Sequence, residues 1–385
     1  MIKGIKNESK SSLFSVMNRL IFIMVSSLFL VACGGGSSSS NDDDQEIPAD
    51  PARGEFKSIS SKTANSITDI QTAINVAGGQ NITVQYAVDT YKIEYMTVDS
   101  SGELILVSGM IAIPAKSSPS PIISYQHATT FTNDEAPSEQ LTPSEKSIEI
   151  ALASLGYIVF SADYIGFGSS LGVDHPYLQK DTSAYTVTDM LKASKTWLDT
   201  TSIQSNGQLF MTGYSQGGYV TMAALQDYQA NPQQGMDVVT AVMGAGPYNL
   251  NLALNELVEE NLGFSIPTIN LPGDLADGIV SIIESAFIPQ DADVGYETTF
   301  LDRFLENDRQ DNVHDWKPNV PVTLFHGEDD ETVPIISSES TLSTMLALGA
   351  DIELIKCTAV PSGHKDCVPE YVELVVQIFG GLRND

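Results

Sequence analysis

The sequence predicts an α/β fold, a mostly parallel sheet covered by helices on both faces, with a helical cap inserted into it. Three observations predict it. From residue 121 onward, short apolar runs alternate with stretches of helical period, the rhythm of a parallel sheet whose strands are buried on both sides. A glycine-flanked turn, Gly213-Tyr214-Ser215-Gln216-Gly217, joins one apolar run to one helical stretch. The interval from Met243 to Val322 lacks a clear strand, and a structureless loop of that length would be unusual inside a compact domain.

The chain begins with an address. Lys3, Lys6, Lys10 and Arg19 face the single acid Glu8 in the first 19 residues, and an apolar run over 20–30 follows. That is the basic and apolar pattern of a secretory signal, and the run falls short of the ~20 residues a membrane-spanning helix needs. It ends in Leu30-Val31-Ala32-Cys33-Gly34, which resembles a bacterial lipobox. That resemblance implies removal of residues 1–32, lipidation of Cys33 and a lasting membrane anchor, because several acyl chains at one site bind far more strongly than one. Met17 begins a compact signal of the same kind, so Met1 and Met17 are both candidate initiators. Gly34 in place of an aspartate after the cysteine implies the bacterial outer membrane, facing periplasm or cell surface. Residues 33–53 then read as the anchor cysteine and a flexible Gly/Ser/acidic tether, with a reach of roughly 25 Å.

Composition bounds the partners. Of 385 residues, 49 are Asp or Glu and 19 are Lys or Arg, a net charge of -30, and 42% are hydrophobic. The chain is apolar enough for a folded core. Its charge excludes nucleic acid, whose binding depends on cations neutralising phosphates. Loss of residues 1–32 removes four bases and one acid, leaving -33. Such a domain is repelled by anionic membrane surfaces, so attachment rests on Cys33 and the substrate is expected to be neutral. The cysteines form no CxxC pair and the five histidines have no metal-ligand spacing, so no metal or other cofactor is expected.

The domain proper is expected over 54–385. A helix is expected over 60–75, then strands over 82–88, 91–98 and 104–113. The parallel strands are expected at 122–125, 157–162, 209–212, 238–243, 322–325 and 352–355. Helices are expected at 144–155, 184–198, 217–230, 338–348 and 369–379. Within the cap, about 248–319, the stretch 275–287 places Leu275, Ile279, Ile282, Ile283 and Ala286 at helical spacing.

The turn at Ser215 has the sequence and setting of a nucleophile elbow, a strand-to-helix turn that lifts a serine hydroxyl above the sheet. Its neighbours must be very small, hence Gly213 and Gly217, and the Gln216 N–H at the helix start is placed to stabilise an oxyanion. A serine needs a base and an orienting acid, in the chain order Ser, acid, His. His364 is the only histidine beyond residue 330. The spacing Gly327-x-x-Asp330-x-x-Val333-Pro334 selects Asp330, with Asp329 the alternative. His326 precedes the acid and reads as a strand-end residue satisfied by backbone hydrogen bonds. A second oxyanion donor is expected from the backbone N–H of His127 or Ala128, in the loop after strand 122–125. The loop Asp163 to Ser170, anchored by His175-Pro176-Tyr177, reads as structural. With Cys33 lipidated, Cys357 and Cys367 bracket His364 and are expected to form a disulfide in an oxidising compartment, two free buried thiols being the alternative.

These residues together resemble the α/β-hydrolase superfamily and, more narrowly, the secretory lipase family of bacterial and fungal acyl hydrolases. The narrower likeness rests on Ser124-Tyr125-Gln126-His127, on Asp163-Tyr164-x-Gly166-x-Gly168 with His175-Pro176-Tyr177, on Gly213 to Gly218, and on Gly244-Ala245-Gly246-Pro247-Tyr248. It spans roughly residues 82–385. It implies carboxylic ester hydrolysis by a lipid-anchored serine esterase or lipase, with Ser215, Asp330 and His364 as the triad. Many relatives carry His-Gly where this chain has His127-Ala128. The elbow also looks like that of prolyl-oligopeptidase-type serine peptidases, although the segment from 54 to 121 is too short for the propeller of those enzymes. A surface lipoprotein that keeps the fold for binding alone is the non-enzymatic alternative.

Overall fold

The computed structural model describes residues 52–384 apart from 80, 145–146, 263–279 and 281–287. The signal (1–32), Cys33 with nearly all of the tether, and all but one residue of the expected cap helix at 275–287 lie outside the described residues.

Among the described residues, nine strands form one sheet. In chain order they are β1 (Phe56–Asn65), β2 (Val88–Val98), β3 (Leu104–Pro114), β4 (Ser120–Gln126), β5 (Ile158–Ala162), β7 (Ser205–Tyr214), β8 (Asp237–Gly244), β10 (Val322–His326) and β11 (Ile352–Lys356), and their spatial order is β1-β2-β3-β5-β4-β7-β8-β10-β11. β6 (His175–Pro176) and β9 (Tyr296–Glu297) form a separate parallel pair. The four N-terminal strands in this order meet antiparallel, and β5 to β11 are parallel. β4 steps to β5 on one side while β7 lies on its other side, so the order reverses at the β4–β7 neighbours. Loops leaving the carboxyl ends of strands at such a reversal form a crevice.

The apolar residues of the central strands serve two cores. Ile122, Leu209, Met211 and Leu324 face the core under α3 (Lys180–Leu198) and α4 (Gln216–Ala230). Ile123, Phe210 and Phe325 face the opposite core under α1 (Ile67–Val76), α2 (Ile148–Ser154) and α8 (Val368–Leu382). Strand alternation sends neighbours to opposite faces, and because both faces are covered the runs read as continuously apolar. Tyr371, Val375 and Phe379 give α8 one buried stripe at four-residue spacing.

Three expected elements are corrected. The helix at 60–75 is half strand: residues 56–65 pair with β2, and the helix starts only after Ser66, whose hydroxyl accepts the Asp69 N–H at 3.2 Å. Pairing along a sheet edge thus overrides helical period. The strand at 82–88 is absent except for Val88. β1 already occupies that edge of β2, and the N–H groups of Val84, Gln85 and Tyr86 go to the Gln71 side chain and the Ser154 carbonyl. The helix at 144–155 begins at Ile148: the Ser147 hydroxyl accepts the Ser144 N–H at 2.9 Å, a local bond that competes with helical pairing.

Between β8 and β10 the described residues include α5 (Leu250–Leu262), β9 and α6 (Thr299–Leu305), with irregular chain after them. Most of the expected cap helix lies outside the described residues, and those that are described form two helices, a two-residue strand and irregular chain. α7 (Ile336–Ala347) covers β10 and β11.

Candidate active site

The elbow is forced by sterics. Ser215 sits at φ 59°, ψ -123°, in the positive-φ region that costs a non-glycine residue energy. A Cβ on Gly217 would collide with the Gln126 carbonyl, and one on Gly213 with the Gly217 carbonyl. The turn is held from beneath: the Ser215 N–H donates to the Gly244 carbonyl at 2.8 Å, and the Tyr371 hydroxyl accepts the Gly213 N–H and donates to its carbonyl.

The structure brings Ser215, His364 and Asp330 together. His364 Nε2 lies 2.9 Å from Ser215 Oγ, and His364 Nδ1 lies 2.6 Å from Asp330 Oδ2. Asp330 Oδ1 accepts the N–H groups of Thr332 and Val333 at 2.9 and 2.8 Å. Burial alone would push the Asp330 pKa up, but hydrogen bonds from His326 and His364 hold it well below the usual carboxylate range. Asp329, the alternative acid, points elsewhere: its Oδ2 accepts the N–H and hydroxyl of Ser362, both at 2.9 Å. It thereby braces the acid loop against the histidine loop. Cys357 and Cys367 are joined by a disulfide that spans His364.

His326 does more than its sequence setting implies. It is fully buried, with Nδ1 2.7 Å from the Ser338 hydroxyl. Its Nε2 faces two acceptors, the Val333 carbonyl at 2.7 Å and Asp330 Oδ2 at 3.3 Å, so that nitrogen carries the proton. The reading of a residue satisfied by the backbone alone is thus corrected, because His326 also supports the acid. The four-residue spacing of His326 and Asp330 was its only sequence signal. Tyr214 left none: its hydroxyl donates to the His364 carbonyl at 2.8 Å.

On the other side of Ser215, Gln216 opens α4, and Ala128 lies in the loop after β4. Both line the same cavity as Ser215 and His364. His127 turns inward instead. Its ring stacks on Tyr164, Nδ1 lies 2.8 Å from the Ala128 carbonyl, Nε2 lies 3.2 Å from the Asp163 carbonyl, and burial depresses its pKa. His175 anchors the 163–170 loop by donating from Nδ1 to the Ile165 carbonyl at 2.8 Å.

The cavity measures about 450 Å³ and is walled by Phe131, Tyr177, Leu254, Leu257, Phe300 and Val333, among others. No carboxylate lines it among the described residues, and its basic groups are His364 and Lys365. A hydroxyl opposite an imidazole whose far nitrogen meets a buried carboxylate can pass its proton to the ring as it attacks an acyl carbon. The apolar wall accepts an uncharged chain.

Comparison with known proteins places this architecture. Residues 145–356 match the hydrolase family described as serine aminopeptidase, S33. The chain belongs to that family. It is 23% identical over 292 residues to Lipase 5 of Candida albicans, covering 63% of this chain and 61% of the lipase, so it spans less than two thirds of that relative. The rice cell wall degrading esterase LipA from Xanthomonas oryzae superposes with a TM-score of 0.64 at 20% identity, over 86% of this chain and 99% of the esterase. Candida antarctica lipase A gives 0.57 at 18% identity, over 87% and 84%. At these identities the likeness to the solved structures establishes the fold, that of the α/β-hydrolases.

Proposed function

We propose that the chain is a serine hydrolase of neutral carboxylic esters. The contact sequence Ser215 Oγ, His364, Asp330 at the floor of a mostly apolar cavity with no carboxylate among its described lining residues carries the reading. Ser215 Oγ attacks the ester carbonyl while its proton passes to His364 Nε2. The oxyanion is met by the Gln216 N–H and a second N–H from Ala128 or His127. Collapse breaks the C–O bond, and His364 returns the proton to the departing alcohol. Water then attacks the acyl-enzyme by the same route. Asp330 fixes the imidazole with Nδ1 protonated and offsets the charge that develops on it.

The family description favours a second reading, an aminopeptidase. Such an enzyme needs an anionic group for the substrate's α-ammonium, and the absence of a carboxylate from the described cavity wall weighs against it. Ester turnover on a chain-length series of p-nitrophenyl esters, set against aminoacyl anilides, separates the two; anilide turnover without ester turnover reverses the ranking. Ser215→Ala is expected to fold normally and lose activity by roughly 10⁵- to 10⁶-fold. Turnover near wild type would remove Ser215 from the mechanism.

The same proposal places the enzyme outside the cytoplasm. Residues 1–32 act as a signal, Cys33 is lipidated and the outer membrane holds the anchor, a reading supported by the basic and apolar segments and by Leu30 to Gly34. Cys33→Ser is expected to abolish incorporation of a palmitate analogue and release the protein from membranes. Unchanged membrane retention would sink the anchor.

A further inference from the structure

His175 lies outside the triad, yet it touches the oxyanion side of the site directly. Its Nδ1–H is committed to the Ile165 carbonyl, so Nε2 is the bare nitrogen, and it accepts from the Gln216 side-chain amide at 2.7 Å. Burial lowers its pKa to about 3, so the ring is neutral and this polarity is fixed across ordinary pH. Gln216 is thereby held at both ends, its backbone opening α4 and its amide tied to His175.

The backbone of His175 belongs to the β6–β9 pair. Its N–H donates to the Gly295 carbonyl at 2.7 Å, which joins it to the segment inserted between β8 and β10. Four aromatic rings, Tyr164, Phe167, Tyr177 and Tyr296, lie 5.3–5.9 Å from its imidazole. Two of them reach the loop carrying the second oxyanion donor: the Tyr296 hydroxyl donates to the Thr130 carbonyl, and the Tyr177 hydroxyl meets Thr129 Oγ1 at 3.0 Å. One cluster therefore contacts both halves of the oxyanion hole, and one of its members, Tyr296, comes from the insertion.

We propose that His175 is a positioning residue of the oxyanion hole, and that the β6–β9 pair with its aromatic cluster couples the inserted cap segment to both donor loops. This rests on the reading of Ser215 as nucleophile and Gln216 as oxyanion donor. The N–H groups must already aim at the place where negative charge develops, since a donor that has to reorient loses most of its worth. His175 and Tyr296 supply that aim without touching substrate.

The test uses His175→Phe, which keeps an aromatic ring and removes both ring hydrogen bonds, and Gln216→Leu, which removes the amide while keeping the backbone N–H. Two readouts are taken: ester turnover, and the rate at which a fluorophosphonate labels Ser215. In labelling the Oγ–P bond forms, fluoride leaves and the proton passes to His364, so the rate reports the oxyanion hole whatever the natural substrate is. Each variant is expected to lower kcat and the labelling rate by roughly 10- to 100-fold, with KM within about twofold and an unchanged pH profile. The double variant is expected to be no worse than the poorer single one, because both remove the same contact. Wild-type labelling by His175→Phe overturns the proposal, and so do losses that multiply in the double variant. If His175→Phe fails to fold, Tyr296→Phe is read by the same two measurements, and an unchanged labelling rate there overturns the coupling to the cap. Ester turnover absent from the wild type while labelling is intact overturns the esterase reading instead, and the labelling rates still decide the coupling.

Discussion

The two sides of Ser215 are built from opposite chemistry. Residues 326–367 gather ionisable groups: His364 contacts Asp330, His326 supports that carboxylate, and a disulfide closes the loop around them. The side proposed to meet the oxyanion uses neutral donors and rings, with Gln216 on a neutral His175 and the 127–130 loop under Tyr164, Tyr177 and Tyr296. The division fits the work proposed for each side. A proton relay needs groups whose charge can change, and a covalent staple limits how far the imidazole wanders. An oxyanion hole needs dipoles that stay aimed, which packed rings and hydrogen bonds of fixed polarity supply. pH should therefore act on the site mainly through the first side.

The largest contrast lies within the acid loop. Asp330→Asn is expected to cost roughly 10⁴-fold in kcat, because the imidazole loses the partner that fixes its tautomer, whereas Asp329→Asn should stay within about tenfold of wild type. Equal losses in steady-state assays would mean that the two carboxylates share the role.

His326→Leu comes next, with about tenfold lower kcat/KM at pH 8. The loss should grow as pH falls. Asp330 has a depressed pKa in the folded protein, so it stays ionised until pH drops through that low value, and with one donor gone it protonates at a higher pH. A loss independent of pH would show that His326 acts by packing alone.

Replacing both Cys357 and Cys367 by serine should lower stability by about 2.5–3 kcal/mol on the loop-entropy estimate. Urea unfolding, read beside activity, is expected to show that stability falls more than kcat does. Unchanged stability would remove the staple from the comparison.

The smallest expected effect concerns a carboxyl behind the oxyanion side. Burial raises the Glu149 pKa to about 7, against a hydrogen bond from the Ser161 hydroxyl, and Asp163 lies near enough to add to the rise. A raised pKa means that the folded state holds the proton more tightly. The stabilisation is complete below the ordinary value of 4.5 and is lost as pH rises through 7. Glu149→Gln should therefore change little at pH 4 and stabilise the protein at pH 8, with little change in activity at either pH. A gain of equal size at both pH values would mean that the carboxyl does not titrate there.

Much of the sheet was legible because its strands are local. Each parallel strand is a short apolar run, and the structure places every one within a few residues of the run. The edge was less legible. Residues 56–65 form a strand only because β2 lies beside them, and residues 82–87 fail to form one because that edge is already filled. In the site, Gly213 to Gly217 marked the elbow, chain order selected His364, and spacing favoured Asp330 without separating it from Asp329. Their separation came from Ser362, 33 residues further on, which draws Asp329 away. The bond from Gln216 to His175 crosses 41 residues and the one from Tyr214 to His364 crosses 150. No periodicity reports such contacts.

The sequence by itself determined the alternation of strand and helix, the strained turn at Ser215, and the types and order of the residues that meet there. Each is a local consequence of backbone sterics and side-chain period. Only the tertiary structure decided which carboxylate faces His364, that His326 carries its proton toward Asp330, and that rings from the inserted segment and the 163–177 loop contact residues 127–130. Those outcomes depend on distances between residues far apart in the chain, set by how the two cores pack the sheet.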